Sequence, residues 1–427
     1  MKLTPVARRA TMITIGALTL SLAVTGCSRG DATGGDATGG DDTMQFFLNM
    51  GSDTPDYVAF SEIVDEFEAE TGYKIQVTAE ASTFENNMKV RLAADNVPDL
   101  FSTHGWSLLR YSEFLEPLDD QAWSEDVNPA LDSAMRDDEG EIYAFPGETN
   151  VAGILYNGDV LESIGVDPAS LTTWDAFNSA AEKVVATGTP AIFAAGKDQG
   201  PIGHVADHLA VDLYDDDQKQ ETIDGTFVAE PMSEMLTVVQ EWTDKGYFNK
   251  DYSSASQDDM ARALADGTTA FEFQGTALLT QALAYNPDAN VGFLPLPSAT
   301  GGENYLVGGE GNNSFGVSKT SAHKEEAKEF LAFLAEPDNA AKLAEAAGSA
   351  PGLIGVDVDF GVLAPSYEKY VTSGTTPIAP YFDRVYLPNG AWDTLVAVTD
   401  SIVTSQSSVE AATAQMARQY DTLYGQQ

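Results

Sequence analysis

The chain has 427 residues, with 66 acidic against 22 basic side chains and a formal net charge of −44 at pH 7. Such a field repels nucleic acid and anionic membrane surfaces, so neither suits it as a partner, whereas a neutral solute is unaffected. The acidic residues are spread through a chain that is 43% hydrophobic, which excludes a disordered acidic tail, and a single cysteine excludes an internal disulfide.

The chain opens with Lys2, Arg8 and Arg9, followed by an apolar run from Met12 to Val24. A membrane span needs about 20 apolar residues, so this shorter run is read as a signal peptide over residues 1–26. Val24-Thr25-Gly26-Cys27 resembles the lipobox of bacterial lipoproteins, in which the cysteine becomes the lipidated N-terminus. The plainer alternative is an ordinary cleaved signal with a stray cysteine. Residues 27–43 repeat Asp31-Ala32-Thr33-Gly34-Gly35 at once as Asp36-Ala37-Thr38-Gly39-Gly40, a tether with nothing to bury. No later apolar run is long enough to span a bilayer. What remains exceeds one typical core, which favours two domains.

Met44 to Met50 reads as a buried strand, and Pro55 suits the first turn of a helix. Phe60, Ile63, Val64 and Phe67 then share one helical face, which Gly72 terminates. Tyr73, Ile75 and Val77 alternate as a second strand, a helix is predicted near Phe84 to Ala94, and Leu100-Phe101-Ser102 forms a third strand. This alternation implies parallel pairing with right-handed crossovers. Short strands are predicted at Ile142 to Phe145 and Gly153 to Tyr156, and Thr173 caps a helix that buries Phe177, Ala180, Ala181 and Val184. Further helices are predicted over Met232 to Lys245 and from Gln257 to Asp266. Strands follow at Thr269 to Phe273 and Val291 to Leu296. Ala327, Phe330, Leu331 and Leu334 mark a helix that Pro337 interrupts, and Val409, Ala412, Met416 and Leu423 stripe the last one.

Several kinds of chemistry have no support. The nucleophile elbow, the P-loop and C-x-x-C are missing, and Gly309-Glu310-Gly311 lacks the third glycine of a dinucleotide fingerprint. His204 and His208 stand one helical turn apart near Asp207 and Asp212, but Val205 occupies the position where a zincin has glutamate. A solvated helix face is therefore preferred there to a metal site. Asp215-Asp216-Asp217 lacks the EF-hand alternation and reads as a surface turn. A glycosidase carboxylate pair is not selected by any spacing. More suggestive are Trp106, beyond a strand whose carboxyl end faces a crevice in an open α/β sheet, and Trp392, between a proline turn and a helix. Sugars offer flat C–H faces to aromatic rings and hydroxyls to amides and carboxylates, so polar-loop tryptophans fit such a site. Each is otherwise a packing lid. Trp174 and Trp242 are assigned to packing.

A set of motifs in order carries a resemblance: Asn96-Val97-Pro98-Asp99-Leu100, Ile142-Tyr143-Ala144-Phe145-Pro146, Leu155-Tyr156-Asn157 and Thr173-Trp174-Asp175-Ala176-Phe177. Ala265-Asp266-Gly267-Thr268-Thr269-Ala270, Gly308-Gly309, Gly316-Val317-Ser318-Lys319 and Ala327 to Leu334 follow. Together, behind the lipobox, they resemble the bacterial extracellular solute-binding proteins of family 1, the sugar-binding lipoproteins of ABC importers, similar in fold to maltose-binding protein.

The resemblance implies an α/β fold of two discontinuous lobes with several hinge crossings. Lobe one would span 44–148 plus 310–350, and lobe two 153–304 plus 356–427. It implies a neutral di- or oligosaccharide captured between the lobes and delivered to permease subunits, with no catalysis and no cofactor. The protein is expected to be a monomer, held at the outer face of the cell membrane by lipid alone. By motif position, His104, Trp106, Asn150, Gln274, Glu310 and Trp392 are ligand-binding candidates, with Tyr381 as a further aromatic and Arg384 as a further hydrogen-bonding group. Gly275-Thr276-Ala277 departs from the family's Gly-x-Trp and removes a stacking contact. A secreted glycoside hydrolase, or an importer component for a non-sugar solute such as a polyamine, are the alternative readings.

Overall fold

The computed structural model describes residues 43–425 apart from 82, 199 and 312. The signal peptide, Cys27 and the tether up to residue 42 lie outside the described residues. No helix among the described residues is long and apolar enough to cross a membrane. In chain order the strands are β1 (Thr43–Leu48), β2 (Lys74–Ala79), β3 (Leu100–Ser102), β4 (Phe145–Pro146), β5 (Glu148–Asn157) and β6 (Phe271–Gly275). They continue with β7 (Val291–Leu294), β8 (Leu306–Glu310), β9 (Ser314–Val317), β10 (Ala350–Pro351) and β11 (Ile378–Pro380).

The first sheet has the order β2-β1-β3-β9-β4. β1 pairs parallel with β2 and β3, as strand–helix–strand alternation predicts. β9, from far along the chain, closes antiparallel on β3 and carries β4. The helix Pro55–Thr71 lays Phe60, Ile63, Val64 and Phe67 on this sheet and stops at left-handed Gly72. Phe46 meets Phe60 and Phe315 edge to face at 5.2 Å, the geometry ring quadrupoles prefer.

The second sheet is organised by β5, which pairs antiparallel with β6, β7, β8 and β10. One side carries the helices Trp174–Ala186, Pro201–Leu213, Ala229–Asp244 and Ala391–Val403, whose apolar faces share a core with Phe273 and Trp242. Trp174 packs 5.7 Å from Trp242, in agreement with a packing role for both. Val151, Leu155, Phe293 and Leu279 form a separate cluster.

Local corrections have clear causes. Ile142 forms only an isolated bridge to Arg136, so the strand expected from it is confined to Phe145–Pro146. Asp215 caps a helix, Asp216–Ile223, through a capping box with Gln218, because its carboxylate reaches the orphan N–H groups of the first turn. The helix Pro201–Leu213 is buried along almost its whole length, including Asp207 and His208. It is therefore no solvated face.

Chain passages between the sheets lie close together. Only Gly147 separates β4 from β5, and its N–H donates to the carbonyl of Asn313, in the segment joining β8 to β9, at 2.8 Å. A Cβ on Gly147 would run into that carbonyl and Leu343, so two passages run side by side only because the residue is glycine. The third passage enters β10, which pairs with the first residues of β5.

Candidate ligand cleft

A cleft of about 390 Å³ is lined by residues from several distant segments. The turn after β3 supplies His104 and Trp106, β5 supplies Asn150, and the end of β6 supplies Gln274 and Gly275. The start of the helix Pro201–Leu213 adds His204, while Tyr381, Asp383, Arg384 and Trp392 come from the segment beyond β11. All the predicted ligand-binding residues except Glu310 face this space.

Glu310 is a correction. Its carboxylate is fully buried and accepts the Ser107 N–H at 2.7 Å and the Ser107 hydroxyl at 2.5 Å. A carboxyl at a buried strand end must find donors, and the turn carrying Trp106 provides them. Burial raises its pKa, opposed by the Ser107 hydrogen bonds and by Arg384. Glu310 thus anchors the Trp106 turn. In that turn His104 adopts φ +50°, an uncommon conformation for a residue with a Cβ and a form of strain that recurs at ligand sites.

The two tryptophans sit in different surroundings. Trp106 has the Arg110 guanidinium 4.3 Å from its ring centroid and that of Arg384 at 5.3 Å. Arg384 also lies 4.4 Å from the Tyr381 ring and donates from Nη1 to the Glu310 carbonyl at 2.6 Å. Trp392 is half-buried and packs beside His204, with ring centroids 5.3 Å apart. Gln274 donates to the Pro201 carbonyl at 3.2 Å, tying β6 to the start of the helix, and Tyr381 donates to Asn150 Oδ1 at 3.2 Å. Phe273 is turned into the core with Phe177 and Trp242. At the departure from Gly-x-Trp, the wall is formed by Gly275, Ala277, Leu278 and Gln281.

Asp383, Gln257, Gln281 and His204 are cleft residues that motif reasoning did not assign to ligand. The acidic neighbour of Arg384 was the one available signal. The Asp383 N–H donates to Asp207 Oδ1 at 2.8 Å, and both carboxyls are buried. Burial raises both pKa values. For Asp207 the nearby Asp383 charge adds to the rise, whereas Arg384 opposes it for Asp383. Asp207 therefore holds a proton more firmly, leaving Asp383 as the carboxylate that faces the cleft. Burial, followed by Arg384, lowers the His204 pKa to about 4, so its imidazole is neutral at physiological pH. No group of three or more metal-ligating side chains gathers among the described residues. Asp212 is instead committed to Ser298 and the backbone N–H groups of Ala299 and Thr300.

The site therefore combines two indoles, imidazole and phenol rings, four primary amides and the adjacent side chains of Asp383 and Arg384. Similarity to known proteins agrees with this chemistry. Residues 62–370 match the family described as bacterial extracellular solute-binding protein. A melibiose/raffinose/stachyose-binding protein of Bacillus subtilis is 31% identical over 391 residues, covering 89% of this chain and 90% of the relative. Among solved structures, a binding protein from Bacillus subtilis in an open conformation superposes with a TM-score of 0.81 at 30% identity, covering 90% of this chain and 98% of the other. A sugar transporter from Bacillus licheniformis in complex with stachyose gives a TM-score of 0.78 at 30% identity, covering 89% of this chain and 100% of the other. The chain belongs to the bacterial extracellular solute-binding proteins, a family of two-lobed binding proteins rather than enzymes.

Proposed function

We propose that this chain captures a neutral oligosaccharide of the galactoside type in its cleft and presents it to the permease of an ABC importer. The observation that carries this reading is the composition of the cleft wall. Asn150, Gln257, Gln274 and Gln281 each offer both a donor and an acceptor, as hydroxyl groups require. The rings of Trp392, His204 and Tyr381 offer apolar faces. Asp383 and Arg384 are neighbours of opposite charge, so neither a polyamine nor a polyanion meets a field of one sign. The relatives named for melibiose, raffinose and stachyose make those sugars the first to test.

Lobe one would comprise 44–148 with 310–350, and lobe two 153–304 with 356–427, the chain passages between these segments acting as the hinge. Closure would be favoured only through contacts the sugar gains in the closed state. Cys27 would carry the lipid that tethers a monomeric protein outside the cell. Titration calorimetry with melibiose, raffinose and stachyose, followed by chromatography of the recovered sugar, tests the reading. Saturable binding of intact sugar supports it; release of smaller sugars at catalytic rates, or no binding, overturns it. Small-angle scattering should show a smaller radius of gyration with saturating sugar, and an unchanged radius would sink the closing hinge.

A further inference from the structure

A smaller cavity of about 130 Å³ lies in the helical layer of the second sheet and shares no lining residue with the cleft. The helices Trp174–Ala186, Pro201–Leu213 and Ala229–Asp244 wall it, and Tyr305 and Ala299 complete it. We propose that this cavity is a second binding site, one that takes a small organic ammonium ion of the choline type. The site stands apart from the sugar reading above and does not depend on it.

The wall combines aromatic rings with carboxylates. Trp242 and Tyr305 are buried and Trp174 is half-buried, with the two indole centroids 5.7 Å apart. Two polar handles are already engaged: Trp242 Nε1 donates to Asn178 Oδ1 at 3.0 Å, and the Tyr305 hydroxyl donates to the His208 carbonyl at 2.7 Å. What those two rings leave for a guest is carbon surface. Glu234, Val238 and Glu241 follow at i, i+4 and i+7 on one helix face, so both exposed carboxylates border the same cavity. No lysine, arginine or histidine lines it, so the field there has one sign, unlike that of the cleft with Asp383 beside Arg384. Aromatic rings and unopposed carboxylates both attract a cation, whereas an anion, or a zwitterion carrying a carboxylate, meets like charge. Size narrows the choice further. An apolar cavity of about 150 Å³ binds benzene, so this one admits a trimethylammonium head and little more. Asp212, which accepts the Ala299 and Thr300 N–H groups, fixes the loop that carries Ala299 to the cavity.

Choline and its neutral carbon isostere, 3,3-dimethyl-1-butanol, are the probes, titrated by NMR against the wild type and folded variants. Choline should bind saturably and on the order of tenfold more tightly than the isostere. Glu234→Gln combined with Glu241→Gln, both at exposed positions, should weaken choline about fivefold and leave the isostere unchanged. Asp65→Asn combined with Glu70→Gln removes the same charge from exposed positions on the helix Pro55–Thr71 and should change neither probe. Val238→Phe fills the cavity from its half-buried wall position and should abolish choline binding. A thermal melt shows that each variant is folded, and if Val238→Phe is not, the glutamine pair decides. No saturable binding, equal affinity for the two probes, or an equal loss in the Asp65/Glu70 pair overturns the proposal. Undiminished choline binding in folded Val238→Phe places the ion elsewhere and overturns it as well.

Discussion

The backbone of Gly203 and the indole of Trp392 are in direct contact: a Cβ on Gly203 would lie 2.7 Å from Trp392 Cη2 and 2.9 Å from Cζ2. A helical glycine is ordinarily destabilising by about 1 kcal/mol relative to alanine. Here it lets the benzo edge of the ring approach the helix Pro201–Leu213 beside His204. Gly203→Ala should therefore push the ring into the cleft and weaken sugar binding on the order of tenfold, about 1.4 kcal/mol. Trp392→Ala should weaken it at least about 30-fold, since aromatic hot spots carry 2 kcal/mol or more. Calorimetry on both variants checks this. Unchanged affinity in the pair would reduce Trp392 to a lid over its own domain.

Asp383 should give binding an acid limb. Burial raises its pKa above 3.8, so on acidification it takes up a proton earlier than an exposed aspartate. Affinity should fall as pH drops through that raised value and be fully present above it. Hydrogen bonds to a charged group contribute about 1.5–3 kcal/mol, so Asp383→Asn should cost roughly 10- to 100-fold at neutral pH and flatten the acid limb. Binding titrations between mildly acidic and neutral pH decide the matter; an acid limb that persists in the asparagine variant assigns it to another group.

Glu272 on β6 is fully buried, and neither carboxyl oxygen has a hydrogen-bond partner. Burial raises its pKa well above 4.5, so the folded protein keeps this proton. The unfolded chain releases it once pH exceeds about 4.5, so stability is highest below that value. It declines as pH rises toward the folded pKa, on the order of 1 kcal/mol per pH unit for a single proton. Glu272→Gln should remove that slope and raise the melting temperature at neutral pH. Thermal melts of both proteins at pH 5 and pH 8 test it, and parallel pH profiles would show that the carboxyl is ionised in the fold.

Cys27→Ala should shift the protein from the membrane fraction to the soluble one. A single acyl chain anchors only marginally at about 0.8 kcal/mol per buried CH₂, and two hold firmly. Fractionation of cells expressing each form measures this directly. Retention of the alanine variant in the membrane would mean that the lipobox resemblance misleads.

Much of the site was legible from local pattern. Trp106 follows β3, Trp392 opens the helix Ala391–Val403, and Asn150 and Gln274 lie on β5 and β6, all of them lining the cleft. Glu310 was misassigned because a one-dimensional motif gives its position at the end of β8 without showing which donors meet it. Ser107, 203 residues away, claims the carboxylate. His204 and His208 present metal-like spacing, and only the packing of their helix against Tyr381 and Trp392 turns one toward the cleft and buries the other.

What the sequence alone determined is what depends on short separations: helix faces repeating every three or four residues, glycine at left-handed stops, and strands alternating with helices. Tertiary structure decided the rest. The Asp207–Asp383 contact spans 176 residues, and Arg110 meets Asn389 across 279. Burial and partner choice at such pairs depend on which faces the folded sheets bring together. A carboxylate or guanidinium therefore acquires its role from neighbours that local sequence does not specify.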